Sequence, residues 1–193
     1  MMRYLSDEQI RLRALEPEDL EVLYRWENDS SLWEVGNTLA PFSRYVLKNY
    51  IAESGRSIYD VHQLRLMIEW QAEWQAERQA IGIIDLFDFE PHANRAACGI
   101  LLDPAFQGKG LGTRALRLLI RYAFDHLALH QLYAHVPEAN LPSLRLFMRS
   151  GFQQTGCLKE WIRVADGFAD VQVMQLLADQ CRLGSLGSVV HSR

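Results

Sequence analysis

The chain has 193 residues, of which 49% are apolar and 23% are charged, and its formal net charge is −4 at pH 7. This length and apolar content fit one globular domain, because a chain of this size buries about 70% of its extended surface on folding. The negative charge argues against a protein that binds nucleic acid through bulk electrostatics. We therefore expect one domain over residues 1–180 and a flexible tail, rich in glycine and serine, over residues 181–193.

The cysteines, the histidines and the N-terminus bear on metals and on location. Cys98, Cys157 and Cys181 are odd in number and far apart, so they predict neither a disulfide framework nor a zinc site. Only His126 and His130 are spaced four apart, and the second is predicted to lie beyond a helix end, so we expect no catalytic metal. The first residues, MMRYLSDEQIRLR, lack the apolar run of a signal peptide, and no stretch approaches the about 20 apolar residues of a membrane span. The prediction is a cytoplasmic protein without a membrane partner.

The first half of the chain alternates between strand and helix patterns. The predicted elements are a strand at 10–14, helices at 16–28 and 43–52, and strands at 62–69 and 80–89. The first strand follows from apolar residues that alternate with arginines, and the first helix from the turn at Glu16-Pro17. The second helix is predicted to bury an apolar stripe of Tyr45, Val46, Tyr50 and Ile51.

The segment WQAEWQAERQA, residues 70–80, is a near-repeat with a period of four residues. Its plain interpretation is an extended hairpin or a short helical insert. Alternatively, Trp70 and Trp74 offer an aromatic binding surface. One and a half copies do not predict a solenoid.

The second half of the chain begins with the apolar run AACGILL within residues 95–103, which predicts a central strand buried on both faces. A helix is predicted over residues 113–127, with Leu116, Leu119, Ala123 and Phe124 on one side. Its other side carries Arg114, Arg117 and Arg121, which we interpret as a solvated face. The remaining predicted elements are a strand at 131–136, a helix at 141–150 that ends at Gly151, and two strands within 152–177 around Asp166-Gly167.

The stretch FQGKGLGTRAL, residues 106–116, places three glycines and a lysine directly before a helix. A phosphate loop of the nucleotide triphosphatases needs GxxxxGK followed by Ser or Thr, and here the lysine precedes the second glycine. A dinucleotide fingerprint needs GxGxxG and an acidic residue after the next strand, whereas this loop has GxGxG and no such acid. Two interpretations stay open: a tight turn, and a pyrophosphate cradle in which backbone amides of residues 107–113 face an anion.

Two separated motifs together resemble the GNAT acetyltransferase superfamily. They are QGKGLGT between a strand and a helix, and then Asn140-x-x-Ser143-x-x-x-Phe147-x-Arg149-x-Gly151-Phe152. The opening IRLRALEPEDL is similar to the start of the spermidine acetyltransferases and of the ribosomal-protein N-terminal acetyltransferases of that superfamily. The resemblance covers about residues 8–177. It implies an α/β GNAT fold, a mixed and mostly antiparallel sheet with flanking helices.

The resemblance also implies an activity and a cofactor site. The activity is transfer of an acetyl group from acetyl-CoA to a primary amine, with a polyamine such as spermidine first and a ribosomal or other protein N-terminus as the alternative. Backbone groups at the end of the central strand would bind pantetheine, namely those of Ile100, Leu101 and Leu102. The loop would bind the pyrophosphate through Gln107, Gly108, Lys109, Gly110, Leu111, Gly112 and Thr113. In the next helix Asn140 and Ser143 would reach pantetheine and Arg149 the nucleotide phosphates, while a plain helix cap is the alternative for Asn140.

Acetyl transfer needs a neutral amine, and at neutral pH only about one alkyl amine in a thousand is unprotonated, so a group has to take the proton. In the spermidine acetyltransferases a tyrosine of the second motif protonates the leaving thiolate, and this sequence has Phe147 at that position. The candidate catalytic residues are therefore Tyr133 and His135 on the preceding strand, with water or an unaided thiolate as alternatives. The missing tyrosine also leaves open a catalytically silent module that only binds acyl-CoA.

Acidic residues at positions where the spermidine enzymes carry them are the candidates for substrate binding: Glu69, Asp85 and Asp88. They suit a polyamine cation or a protein N-terminus, although ordinary charges at a strand end are an equal alternative. The acidic pair that those enzymes carry before the second helix is absent from VGNTLAPF, residues 35–42. Because enzymes of this kind often pair, we predict a homo-oligomer whose ligands are acetyl-CoA and the amine.

Overall fold

The computed structural model describes residues 4–30, 40–72 and 77–181. These residues form one seven-stranded sheet, and the strands along the chain are β1 (Ile10–Arg13), β2 (Leu64–Trp70), β3 (Gln79–Glu90), β4 (Arg95–Leu102), β5 (Gln131–Pro137), β6 (Gln153–Val164) and β7 (Gly167–Leu177). Their order across the sheet is β1-β2-β3-β4-β5-β7-β6. All neighbouring strands are antiparallel except β4 and β5, which are parallel. The predicted mixed, mostly antiparallel sheet is thus confirmed.

Helices flank the sheet. They are α1 (Leu20–Glu27), α2 (Arg44–Glu53), α3 (Ile58–Val61), α4 (Leu111–Arg121) and α5 (Leu141–Arg149). Short 3-10 turns at Pro17–Asp19 and Pro104–Phe106 precede α1 and follow β4, and a π-helical turn at Tyr122–His126 extends α4. Within the described ranges, the helices are all too short or too polar to cross a membrane. Residues 73–76 of the near-repeat, the tail from residue 182 and most of VGNTLAPF lie outside the described residues.

One face of the sheet, which we call the α4 face, carries the larger core. Apolar residues three and four apart give α4 a buried side that includes Ala115, Leu116, Leu119 and Ala123. This side packs against the strands through residues such as Leu12, Ile68, Leu86 and Cys98. The predicted buried side of this helix is therefore confirmed.

The opposite face, which we call the α1–α2 face, carries a smaller core over β2 and β3. Helices α1 and α2 bury Leu23, Trp26, Leu47 and Ile51 against Met67 and Ile83. The stripe predicted for α2 is wrong at two positions, because Tyr45 is 74% exposed and Val46 is 48% exposed. Leu47 and Ile51, four residues apart, set the buried side instead, and Tyr50 packs partly against the same core.

Three further sequence predictions need correction. Helix α4 begins at Leu111, two residues earlier than predicted, because Gly110 and not a later residue is its N-cap. Helix α3 was not predicted. The predicted solvated arginine face holds for Arg117 and Arg121, which are exposed, although Arg121 also donates hydrogen bonds to the backbone carbonyls of Tyr4 and Ser6. Arg114 departs from the prediction, because it is half-buried and hydrogen-bonds to Asp7 and Gln9.

Strand β4 is central, as predicted, yet only its first half is buried on both faces. Ala96, Ala97 and Cys98 are buried, whereas the residues from Gly99 to Leu102 are partly exposed. The second half is exposed because β4 has lost its neighbour β5 by that point, as described next.

Candidate functional site

Strands β4 and β5 separate in the middle of the sheet. They pair only at Arg95–Gln131, Ala96–Leu132 and Ala97–Tyr133. Beyond Ala97, β4 stays paired with β3 as far as Leu102, and β5 stays paired with β7 as far as Pro137. The two strands thus enclose a wedge between them. On the side that faces the wedge, the β4 backbone at Ile100, Leu101 and Leu102 has no strand partner among the described residues, while on its other side it is paired with β3. Such a wedge suits an extended, amide-containing ligand that hydrogen-bonds as a strand would.

The chain leaving β4 is held at several points before it reaches the glycine loop. The Asp103 carboxylate accepts hydrogen bonds from the Ala105 amide at 3.1 Å and from Trp26 Nε1 of α1 at 3.0 Å. The hydrogen bond from Trp26 holds the pKa of Asp103 below its ordinary value. Gln107 Nε2 donates to the Leu102 carbonyl at 3.0 Å, so this predicted pyrophosphate ligand has its side chain on the end of β4. Sequence reasoning missed Asp103, although an acid directly before Pro104 is a recognisable cap.

The glycine loop presents bare backbone at the start of α4. Gly108 and Gly110 have φ of 73° and 78°, in the left-handed region that glycine favours, and a Cβ on either would meet no heavy atom within 4 Å. The backbone hydrogen bonds found in the described chain stop at the Gln107 amide, which donates to Pro104, and resume at the Arg114 amide, which donates to Gly110. The intervening amides lie at the positive end of an 11-residue helix that has no side-chain cap. This arrangement fits an anion such as a diphosphate.

The third glycine of the loop has a different role. A Cβ on Gly112 would lie 3.1 Å from Leu102 Cδ1 and 3.6 Å from Leu146 Cδ1 of α5. Gly112 therefore lets α4 approach the end of β4 closely, beside the wedge.

Helix α5 borders the wedge on the α4 face. The Asn140 side chain accepts a hydrogen bond from the Ser143 amide at 3.1 Å, which is the plain helix cap weighed above. Arg149 is exposed at the end of the helix. Phe147 is 3% exposed and packs edge-to-face on Phe152, with ring centroids 5.0 Å apart, so the position of the family's tyrosine is filled by a core residue. Contacts of Asn140, Ser143 and Arg149 with the coenzyme stay predictions.

The two candidate catalytic residues lie together on β5. The rings of Tyr133 and His135 are 5.4 Å apart, on the α1–α2 face of the sheet, beside the point where β4 and β5 part. Burial raises the pKa of the Tyr133 phenol, and the nearby Asp88 carboxylate raises it further. Tyr133 therefore stays protonated at neutral pH and can donate a proton. Asp88 itself is exposed, at an irregularity of β3 where its φ is 48°.

The other two acidic candidates are already paired with arginines. Glu69 accepts hydrogen bonds from Arg11 at 2.7 Å and from Arg13 at 2.6 Å. Asp85 accepts two hydrogen bonds from Arg65, at 2.8 and 3.0 Å. A substrate cation would have to displace these arginines, and of the three acids the structure brings only Asp88 close to Tyr133.

Sequence reasoning missed the partner of Asp85. Arg65 lies directly opposite Asp85 across β2 and β3, and it also binds Glu27 of α1 at 2.5 Å. A charged residue inside an otherwise apolar strand was the available signal, because such a residue is seldom buried without a partner.

The chain is similar in sequence and in fold to known acetyltransferases. The acetyltransferase (GNAT) domain matches residues 9–153. A spermidine N(1)-acetyltransferase of Escherichia coli strain K12 is 28% identical over 151 residues, which are 78% of this chain and 76% of that protein. A crystal structure of spermidine N-acetyltransferase from Vibrio cholerae, in complex with CoA and spermine, has a TM-score of 0.79 at 26% identity and covers 90% of this chain and 98% of its own. A structure described as dodecameric, of the same Vibrio enzyme, has a TM-score of 0.74 at 26% identity and covers 91% and 97% of the two chains.

Proposed function

Because the chain belongs to the GNAT acetyltransferase family and is an acetyl-transferring enzyme, we propose that its donor is acetyl-CoA and its acceptor a primary amine. The observation that carries the proposal is the wedge between β4 and β5, which leads directly to the uncapped amides of the glycine loop. The Vibrio structure with CoA supports the choice of donor. The membership of this chain in a family of N-acetyltransferases also disfavours the alternative of a catalytically silent module that only binds acyl-CoA.

We assign the binding of the coenzyme to the β4 backbone along the wedge and to the glycine loop. The wedge-facing backbone groups of β4 at residues 100–102 would bind the pantetheine amides, and the loop amides from Gly108 to Thr113 would bind the diphosphate. Acetyl-CoA supplies an activated acetyl thioester at the wedge. Lys109, whose ammonium lies 5.3 Å from the Phe106 ring centroid, adds a positive charge at the same loop.

The proton transfers fall to Tyr133 and His135 in this proposal. The raised pKa of Tyr133 suits a proton donor at neutral pH, and it makes the phenolate an unsuitable base there. Imidazole commonly accepts protons near neutral pH, so we assign the deprotonation of the attacking amine to His135, directly or through water.

Two acceptor classes have support. The names of the E. coli and Vibrio relatives support a polyamine. The ion pairs of Glu69 and Asp85 support the second class, a peptide or protein N-terminus, because these acids are not free to bind a polycation. We further propose a homo-oligomer, which the dodecameric Vibrio structure supports, and a cytoplasmic location.

Gly110→Val tests the coenzyme site. A β-branched side chain at a φ of 78° strains the loop and covers its amides, so we expect acetyl-CoA affinity, measured by calorimetry, to fall more than about 100-fold. Gly55→Val is the matched control, because Gly55 is exposed, without a positive φ and with open space around its Cβ position. Full acetyl-CoA affinity in a folded Gly110→Val protein would refute the loop assignment. Thiol release with polyamines, amino acids and peptides then tests the acceptor.

A further inference from the structure

A depression of about 320 Å³ lies on the α1–α2 face of the sheet, away from the two helices of that face. Helices α1 and α2 pack on β2 and β3, whereas the walls of the depression come from β4, β5, β6 and β7. Its lining residues are Arg95, Gln131, Tyr133, Thr155, Val173 and Gln175. We refer to it as the Arg95 depression.

The Arg95 depression begins at the base of the wedge. Tyr133, one of its walls, is paired with Ala97 in the last register pair before β4 and β5 separate. The backbone that would hold the reactive end of the coenzyme, at Ile100 and Leu101, lies three to four residues further along β4. At a rise of about 3.3 Å per residue this is about 10–13 Å from the level of Tyr133. The Cα of Arg95 lies two residues further from the wedge, but its guanidinium lines the same depression and acts electrostatically on Tyr133, so the side chain extends toward that level. A ligand that reaches from the depression to the wedge would thus be about 10 Å long.

The charge of the depression is positive. Of its six lining side chains only Arg95 is charged, and a guanidinium keeps its charge at any physiological pH. In the described part of the chain no carboxylate lies within 4 Å of it, not even Glu90, its register partner across the β3–β4 turn. A guanidinium offers two parallel N–H donors that match a carboxylate.

Neutral groups around Arg95 add hydrogen-bonding capacity. Gln175 donates its side-chain N–H to Gln131 Oε1, which fixes the Gln131 amide with its NH2 group as a donor. Thr155 Oγ1 donates to the Val173 carbonyl at 3.3 Å and keeps its lone pairs as acceptors. Asp88 is the acidic group near Tyr133 outside this lining, so the negative charge lies beside the depression and the positive charge within it.

We infer that the Arg95 depression binds a carboxylate of the acceptor, so that the acceptor is a primary amine with a carboxylate at the other end of the molecule, as in a short peptide or a diamino acid. An extended tripeptide spans about 10 Å, which matches the distance from the depression to the wedge. A polyamine lacks the carboxylate, and its ammonium groups would be repelled by Arg95. The inference rests on the proposed function, which places the acetyl group in the wedge, and it names the acceptor class for that same site.

Two pairs of compounds that differ only at the carboxylate test the inference. Lysine is compared with cadaverine, and Ala-Ala-Ala with its C-terminal amide, by calorimetric titration of the full-length protein and of Arg95→Gln. We expect the carboxylate member of at least one pair to bind the unaltered protein about 10- to 100-fold more tightly, and Arg95→Gln to abolish that difference. Arg56→Gln, which removes an exposed arginine after α2, is the matched control and should keep it.

The binding measurement decides the inference independently of activity. Equal affinities within both pairs, a preference that persists in a folded Arg95→Gln protein, or no binding by either carboxylate compound would each overturn it. The same compounds are then assayed with acetyl-CoA. If none is acetylated, and spermidine is not either, the proposed function fails, whereas acetylation without any carboxylate preference removes only the inference.

Discussion

The surroundings of Tyr133 shift the pKa of its phenol. Burial and the Asp88 carboxylate raise the pKa of its phenol, and Arg95 opposes them. Removing a negative neighbour stabilises the phenolate, so we predict that Asp88→Asn lowers the Tyr133 pKa and that Arg95→Gln raises it. The difference in absorbance at 295 nm between each protein and its Tyr133→Phe counterpart, followed from pH 7 upward, measures this titration. Shifts of the Tyr133 pKa in the same direction in both variants would contradict the charge arrangement.

A second prediction for Tyr133 concerns the rate of acetyl transfer. If Tyr133 donates a proton during transfer, Tyr133→Phe should lower kcat at least about tenfold while leaving the dissociation constant of acetyl-CoA unchanged, since general acid catalysis commonly contributes more than that factor. A kcat within twofold of the unaltered protein would transfer the donor role to water or to the thiolate itself.

At the scale of elements, α1 is tied to β2 and β3 by an ion cluster around Arg65. Arg65 binds Asp85 and Glu27, and all three side chains are less than a fifth exposed. Although burial opposes its charge, the Asp85 carboxylate raises the Arg65 pKa further above the usual value. Arg65→Gln would leave the buried Asp85 carboxylate without its arginine, so we predict that the free energy of unfolding falls by about 3–5 kcal/mol at pH 7.

Urea unfolding at pH 7 measures this effect. Arg44→Gln is the control, because its ion pair with Glu21 is solvent-exposed on both sides and should not change the unfolding midpoint measurably. Equal stability losses in the two variants would show that burial does not distinguish the two ion pairs.

At the scale of the whole molecule, the reactivity of the Cys98 thiol measures the unfolding of the sheet that lies between the two cores. Its side chain is 2% exposed in β4, and burial raises the pKa of its thiol strongly. Cys157 is exposed on β6. We predict that a disulfide reagent modifies Cys157 rapidly in the native protein, and that Cys98 reacts only as fast as the molecule unfolds globally.

Reaction rates at increasing urea concentrations check this prediction. Because Cys181 is also partly exposed, both Cys157 and Cys181 are replaced by serine; this double variant should leave only the Cys98 phase, whose rate should rise with urea in parallel with global unfolding. A Cys98 rate that is independent of urea would instead reveal local opening between β4 and β5, next to the wedge.

The sequence alone determined the type and order of the main elements, and with them the family. Apolar periodicity located α4 and β4, and the three glycines before α4 indicated an anion site, because these features depend on residues that are close along the chain. The predicted boundaries of most strands lie within two residues of the observed ones for the same reason.

Only the tertiary structure decided how these elements meet. Three features depend on residues that are distant in sequence. They are the separation of β4 from β5, the ion pair of Asp85 with Arg65, and the exposure of Tyr45 on α2. The composition of the Arg95 depression likewise depends on the pairing of four strands. Local propensity cannot specify such contacts, because which side chain neutralises a charge or covers an apolar surface is settled by packing between segments that meet only in the folded chain.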